Sequence, residues 1–132
     1  MIDKKKILIV DDEDTIRELL DIAFSKAGYC VRLAANAEEA LEALRKEYIP
    51  VIFVDLGLEK MNGFKLCGII RKDSPSAFIY ALSGNPELFS PPENFGTGFD
   101  NYFTKPISLN ILYKVVRDTF EKIQRLTSNP SE

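Results

Sequence analysis

The sequence has no histidine, no tryptophan and only two cysteines. Without an imidazole there is no zinc centre of the Cys/His type and no Cys–His or Ser–His couple. Cys30 and Cys67 stand apart, in neither a CxxC pair nor a ligand cluster. Both read as small apolar residues in a reducing compartment, not as a disulfide framework. Basic residues are not in excess either: 17 Lys and Arg face 20 Asp and Glu, a net charge of -3. That balance leaves no basic stripe for a phosphate backbone and argues against direct nucleic-acid binding. Long apolar runs are also lacking. Lys4-Lys5-Lys6 leads into Ile7-Leu8-Ile9-Val10 and no further, far short of a secretory core or a membrane span. A soluble, cytoplasmic protein with no membrane insertion is the expectation. No repeat and no low-complexity stretch suggests a solenoid or linker.

What is present is an alternation. Short continuous apolar runs, the mark of strands buried on both faces, are separated by segments with helical spacing. Ile7 to Val10 is the first run. Ile16, Leu19, Leu20, Ala23 and Ala27 then recur at helical spacing, with Gly28 as the stop. Tyr29 to Ala34 reads as a second strand. Asn36, with Glu39 three residues on, has the form of a helix N-cap with a capping box. Val51 to Val54, the most apolar and β-branched run, belongs at the sheet centre. Asn62 or Gly63 opens a third helix, and Ala77 to Leu82 forms a fourth strand. Between 84 and 100 the prolines allow only a short or broken fourth helix. Asn101 to Thr104 gives the fifth strand. A last helix runs from about Ser108 to Leu126, with Leu109, Leu112, Val116, Phe120 and Ile123 on one stripe. Ile111 and Val115 lie beside that stripe, where wider core burial or a homodimer face would each account for them. The spacing predicts one α/β domain over residues 1–126, with 127–132 as a flexible tail. Its architecture is a doubly wound, five-stranded parallel sheet with helices on both faces.

In such a sheet ligands bind at the carboxyl ends of the strands. Asp11 and Asp12 follow the first strand, Asp55 the third, Ser83 the fourth and Lys105 the fifth. Taken singly, each has an ordinary reading: a solvated acidic loop, a cap, a turn at Ser83-Gly84, a surface lysine. Taken together they converge on one crevice. Three carboxylates so placed repel one another, and a hard divalent cation with oxygen ligands relieves the repulsion. An ionised aspartate is also a nucleophile toward phosphorus. An ammonium group beside it can neutralise the transferring oxygens, and a short hydroxyl can donate to one of them.

The segments Ile9-Val10-Asp11-Asp12-Glu13, Val54-Asp55-Leu56-Gly57-Leu58, Met61-Asn62-Gly63, Ala81-Leu82-Ser83-Gly84 and Tyr102-Phe103-Thr104-Lys105-Pro106 resemble, as a set, the response-regulator receiver domains of two-component signalling. The resemblance covers about residues 5 to 125. It implies the flavodoxin-like strand order 2-1-3-4-5, Asp55 as phosphoacceptor and a Mg²⁺ site formed by Asp11, Asp12, Asp55 and the Gly57 carbonyl. It further implies phosphoryl contacts from Ser83, Gly84 and Lys105, a switch pairing Ser83 with Tyr102, and a cis bond at Lys105-Pro106. The partners implied are a sensor histidine kinase or phosphotransfer protein, and downstream a protein contact or homodimer. In place of the proline common four residues after the phosphoacceptor stands Glu59. A receiver-like interaction module that carries no phosphoryl group is the alternative. A phosphohydrolase ranks last because no Asp-x-Asp follows the third strand. Dinucleotide binding is disfavoured because no glycine-rich loop follows the first.

Overall fold

In the computed structural model, which describes residues 5–85, 87 and 98–127, the chain runs β1 (Lys6–Val10), α1 (Asp14–Lys26), β2 (Cys30–Ala34), α2 (Ala37–Lys46), β3 (Val51–Asp55), α3 (Gly63–Asp73), β4 (Phe78–Ser83), β5 (Asn101–Thr104) and α4 (Leu109–Thr127). The strands form one parallel sheet in the order β2-β1-β3-β4-β5. This is the order expected of the flavodoxin-like class.

Strand side chains alternate between faces, so the runs that are apolar at every position feed two separate cores. Leu8, Val10, Ile52, Val54 and Ile79 face α2 and α3, where they meet Ala40, Leu66, Cys67 and Ile70. Ile7, Ile9, Val51, Phe53, Tyr80 and Leu82 face α1 and α4, against Leu20, Phe24, Leu112, Val116 and Phe120. β3 is buried along its whole length, as its composition predicted.

Local chemistry sets the element ends. Asn36 Oδ1 accepts the Glu39 N–H at 2.9 Å, and the Glu39 carboxylate takes the Ala35 N–H at 2.7 Å, so the capping box closes one residue early. Gly28 terminates α1 with φ +98°, and the Tyr29 N–H returns to the Phe24 carbonyl at 3.0 Å. Asn62 caps α3 by accepting the Lys65 N–H at 2.9 Å. Only glycine fits behind that cap: a Cβ on Gly63 would stand 2.7 Å from the Asp55 carbonyl and 2.9 Å from Leu56 Cα. α3 is thereby pressed onto the end of β3.

Several details differ from expectation. Leu19 is 41% exposed and Ala27 is exposed, whereas Phe24 is buried. The inward stripe of α1 is Ile16, Leu20, Ala23 and Phe24, and Leu19 lies off it. Val115 packs against the α1/α4 core while Ile111 is 55% exposed, so wider burial accounts for only one of the pair. α4 includes Thr127, whose hydroxyl donates to the Ile123 carbonyl at 3.1 Å. The rest of the expected tail, 128–132, lies outside the described residues, as does most of the segment expected to hold a short or broken fourth helix.

Candidate functional site

Three backbone hydrogen bonds carry the ladder one residue past the strands. The Asp11 N–H donates to the Ala34 carbonyl at 3.1 Å, the Leu56 N–H to Leu82 at 2.9 Å and the Lys105 N–H to Ser83 at 2.9 Å. Residues at the strand ends are thus fixed by the sheet itself, and their side chains rise on one rim.

Asp11, Asp12 and Asp55 meet there: one carboxylate oxygen from each lies within 4.8 Å of the others. Asp11 is fully buried, Asp55 is 6% exposed and Asp12 is exposed. Asp55 Oδ1 accepts the Gly57 N–H at 3.0 Å, and Asp11 Oδ1 accepts the Glu13 N–H at 2.9 Å. Lys105 enters from the end of β5, and the Lys105–Pro106 peptide is cis. Its Nζ stands 2.6 Å from Glu13 Oε1, 2.9 Å from Asp11 Oδ2 and 3.6 Å from Asp55 Oδ2. Ser83 is buried at the end of β4; its Oγ accepts the Asn85 N–H at 2.9 Å and donates to the Asn85 carbonyl at 3.2 Å. Gly84 is exposed beside it, with open space where a Cβ would stand. Tyr102 is half-buried on β5, its ring centroid 5.8 Å from that of Phe99, which lies at the same distance from Phe64 on α3.

Electrostatics at the rim are unbalanced. Burial pushes the Asp11 and Asp55 carboxyls above their usual range. Hydrogen bonds from the Glu13 and Gly57 amides and the Lys105 charge oppose that rise without cancelling it. For Lys105, burial works against the charge, but its hydrogen bond with Glu13 and the adjacent carboxylates of Asp11 and Asp55 outweigh it and raise its pKa. Asp11 Oδ2 is buried and accepts no hydrogen bond among the described residues. Its 2.9 Å approach to Lys105 is a charge contact without hydrogen-bond angles. An unsatisfied buried carboxylate oxygen beside two more carboxylates is what an oxygen-preferring divalent cation such as Mg²⁺ satisfies, and the donor set fits one.

The residues that the sequence assigned to one crevice are therefore together: the three aspartates converge, Lys105 contacts Asp11 and Asp55, Gly57 reaches Asp55 through its N–H, and Ser83 stands on the adjoining strand end. Two neighbours were not singled out. Glu13 holds Lys105, and the Arg17 guanidinium donates to the Asp11 carbonyl at 2.7 Å. The acidic run Asp11 to Asp14 contained the first signal, but its charges look alike until the fold separates them.

The family model described as the response regulator receiver domain matches residues 7–117. "Probable transcriptional regulator ycf27" of Porphyra purpurea is 35% identical over 126 residues, covering 96% of this chain and 51% of that protein. "Alkaline phosphatase synthesis transcriptional regulatory protein PhoP" of Bacillus subtilis (strain 168) is 36% identical over 104 residues, covering 79% and 43%. Among solved structures, a two-component response regulator from Clostridium difficile superposes with a TM-score of 0.85 at 28% identity, covering 91% of this chain and 98% of that one. The chain spans about half the length of the curated relatives it matches.

Proposed function

Because the chain belongs to the response regulator receiver domain family, we propose that it is a phosphorylation-dependent signalling switch that accepts a phosphoryl group on Asp55 from a sensor histidine kinase or phosphotransfer protein. One observation carries the reading: the buried pair Asp11 and Asp55, with Asp12 beside them, converges within 4.8 Å while Lys105 reaches over the same point.

The chemistry follows from the atoms. The Gly57 N–H occupies Asp55 Oδ1, so Oδ2, the oxygen nearer Lys105, is the one free to attack. A bond forms between that oxygen and phosphorus as the bond from phosphorus to the donor nitrogen breaks, and the departing nitrogen keeps the electron pair. Asp11, Asp12, Asp55 and the Gly57 carbonyl would hold Mg²⁺, which supplies charge neutralisation for the phosphoryl oxygens. Lys105 pairs with one of those oxygens. Ser83 exchanges its bond to the Asn85 carbonyl for one to the phosphoryl group, aided by Gly84, whose open side leaves room. Tyr102 then follows Ser83 inward, and the population of two conformers shifts.

In this reading the protein is a phosphoacceptor that promotes at most its own phosphorylation and dephosphorylation. Its output is a contact with a protein partner or a second copy. No direct nucleic-acid contact is assigned to this region, although the relatives, about twice as long, are named as transcriptional regulators. No helix among the described residues is long and apolar enough to cross a membrane, and a cytoplasmic site of action is proposed. The test is incubation with phosphoramidate and Mg²⁺, followed by intact-mass measurement. A gain of one phosphoryl group that Asp55→Asn and removal of Mg²⁺ both abolish is expected. An unchanged mass in the wild type would overturn the reading.

A further inference from the structure

We infer that Glu13 is a positioning residue that holds the Lys105 ammonium away from Asp55 and so restrains phosphoryl uptake; the inference rests on the reading of Asp55 as the acceptor. Glu13 occupies the N-cap of α1, where a side chain usually turns back to accept a backbone N–H of the first turn. It makes no such bond. Its carboxylate instead crosses the crevice to Lys105, 92 residues on, at 2.6 Å. That is the shortest of the three contacts at Nζ, against 2.9 Å to Asp11 and 3.6 Å to Asp55.

The backbone leaves Glu13 well placed for this. Its N–H is fixed on Asp11 Oδ1 at 2.9 Å, and its carbonyl accepts the Arg17 N–H at 3.2 Å. Only the side chain is free to reach. Lys105 presents three donors and no acceptor, and the donor it gives to Glu13 at 2.6 Å draws the ammonium toward that side, leaving Asp55 Oδ2 the most distant of the three carboxylate oxygens at 3.6 Å. Asp11 also belongs to the set that fits Mg²⁺. Once Asp11 is engaged there, Glu13 remains as the carboxylate that competes with the phosphoryl group for the ammonium. The Glu13 side chain is 54% exposed while that of Lys105 is 14% exposed. A pair with one partner in water is weak enough to be broken by a dianionic group. Glu13 thus acts as a releasable hold and contributes nothing to the bonds that form or break.

Two measurements test this. Uptake from saturating phosphoramidate with Mg²⁺ is compared in wild type, Glu13→Gln, Lys105→Met and the double variant. Loss of the Glu13 charge is expected to raise the rate constant about threefold in the Lys105 background, the scale of a half-exposed ion pair, and to leave it unchanged in the Lys105→Met background. A gain of equal size in both backgrounds would mean that Glu13 acts by repelling the donor, and an unaltered or slower Glu13→Gln would mean that it restrains nothing; either overturns the inference. Independently of phosphorylation, ¹⁵N relaxation of Lys105 Nζ in the metal-free wild type should report an ordered ammonium that becomes mobile in Glu13→Gln. Equal order in both proteins overturns it as well. If the wild type takes up no phosphoryl group although Nζ responds as expected, the fault lies with the acceptor reading and not with the Glu13 contact.

Discussion

Asp55 is held in an unfavourable charge state by the residues around it. Burial raises its pKa, so the folded protein binds a proton there more readily than the unfolded chain does. Stability is therefore lost as pH rises from the ordinary carboxylate range through the raised value, and the penalty is fully present above it. Asp55→Asn removes the penalty. Without metal it is expected to unfold a few degrees above the wild type at neutral pH. The gap should close as pH falls through the raised pKa, and paired thermal melts across that range would show it. Gly63 makes the opposite case. Gly63→Ala forces a methyl group against the Asp55 carbonyl and Leu56 Cα, where neither backbone atom can yield cheaply. A loss of about 1–3 kcal/mol in urea unfolding is expected, together with slower uptake at Asp55 because the loop holding its Oδ1 must move.

Legibility at this scale followed chemistry. Asp11, Asp55 and Ser83 were readable because each ends an apolar run where a buried strand stops, and Asp12 and Lys105 because they stand just past the ends of β1 and β5. Glu13 and Arg17 were not, since a charge in a helix's first turn has the same appearance whether it meets water or a lysine ninety residues away. The hydrogen bond of 2.7 Å between Tyr80 and Thr119 was hidden for a similar reason. It joins a strand to a helix through two residues that are unremarkable in their own segments.

Among the elements, α3 connects distant parts of the chain. Its Arg71 donates to the Pro75 carbonyl at 3.0 Å, to the carbonyls of Ala77 and Gly98, and to Asp100 Oδ2 at 2.9 Å. The same Asp100 oxygen accepts the Ile79 N–H at 2.8 Å, and the Asp100 N–H returns to the Ile79 carbonyl at 2.8 Å. One guanidinium therefore fastens the entry of β5 to the start of β4. Arg71→Met keeps the apolar stem and removes five donors. Faster amide exchange confined to Ile79 and Asp100, with little change at Phe53 in the sheet centre, is the expected pattern by hydrogen-exchange mass spectrometry or NMR. The helical spacing placed α2, α3 and α4 well, because their caps are local. It misjudged the edge of α1, because only the tertiary packing decides how far a stripe of apolar residues turns from the core.

For the whole molecule the doubly wound parallel sheet followed from the pattern of apolar runs and the handedness of crossovers, its strand order from the receiver resemblance, and the converging acids from the strand ends. What the acids imply can be read without any phosphate. A cation that binds the folded rim and not the unfolded chain stabilises by mass action, by about 2.7 kcal/mol at a hundredfold excess over its dissociation constant. Mg²⁺ titration is expected to raise the unfolding temperature of the wild type with a logarithmic concentration dependence. Asp12→Asn should flatten that response, and an equal response in both proteins would remove the metal from the crevice.

The three ladder bonds that run past β1, β3 and β5 have a mechanical corollary. They tie the platform under the crevice into the sheet interior. In the proposed switch, occupancy is relayed by rotations about single bonds at Ser83 and Lys105 and along the row of rings from Tyr102 through Phe99 to Phe64, so a partner that reads it touches that row.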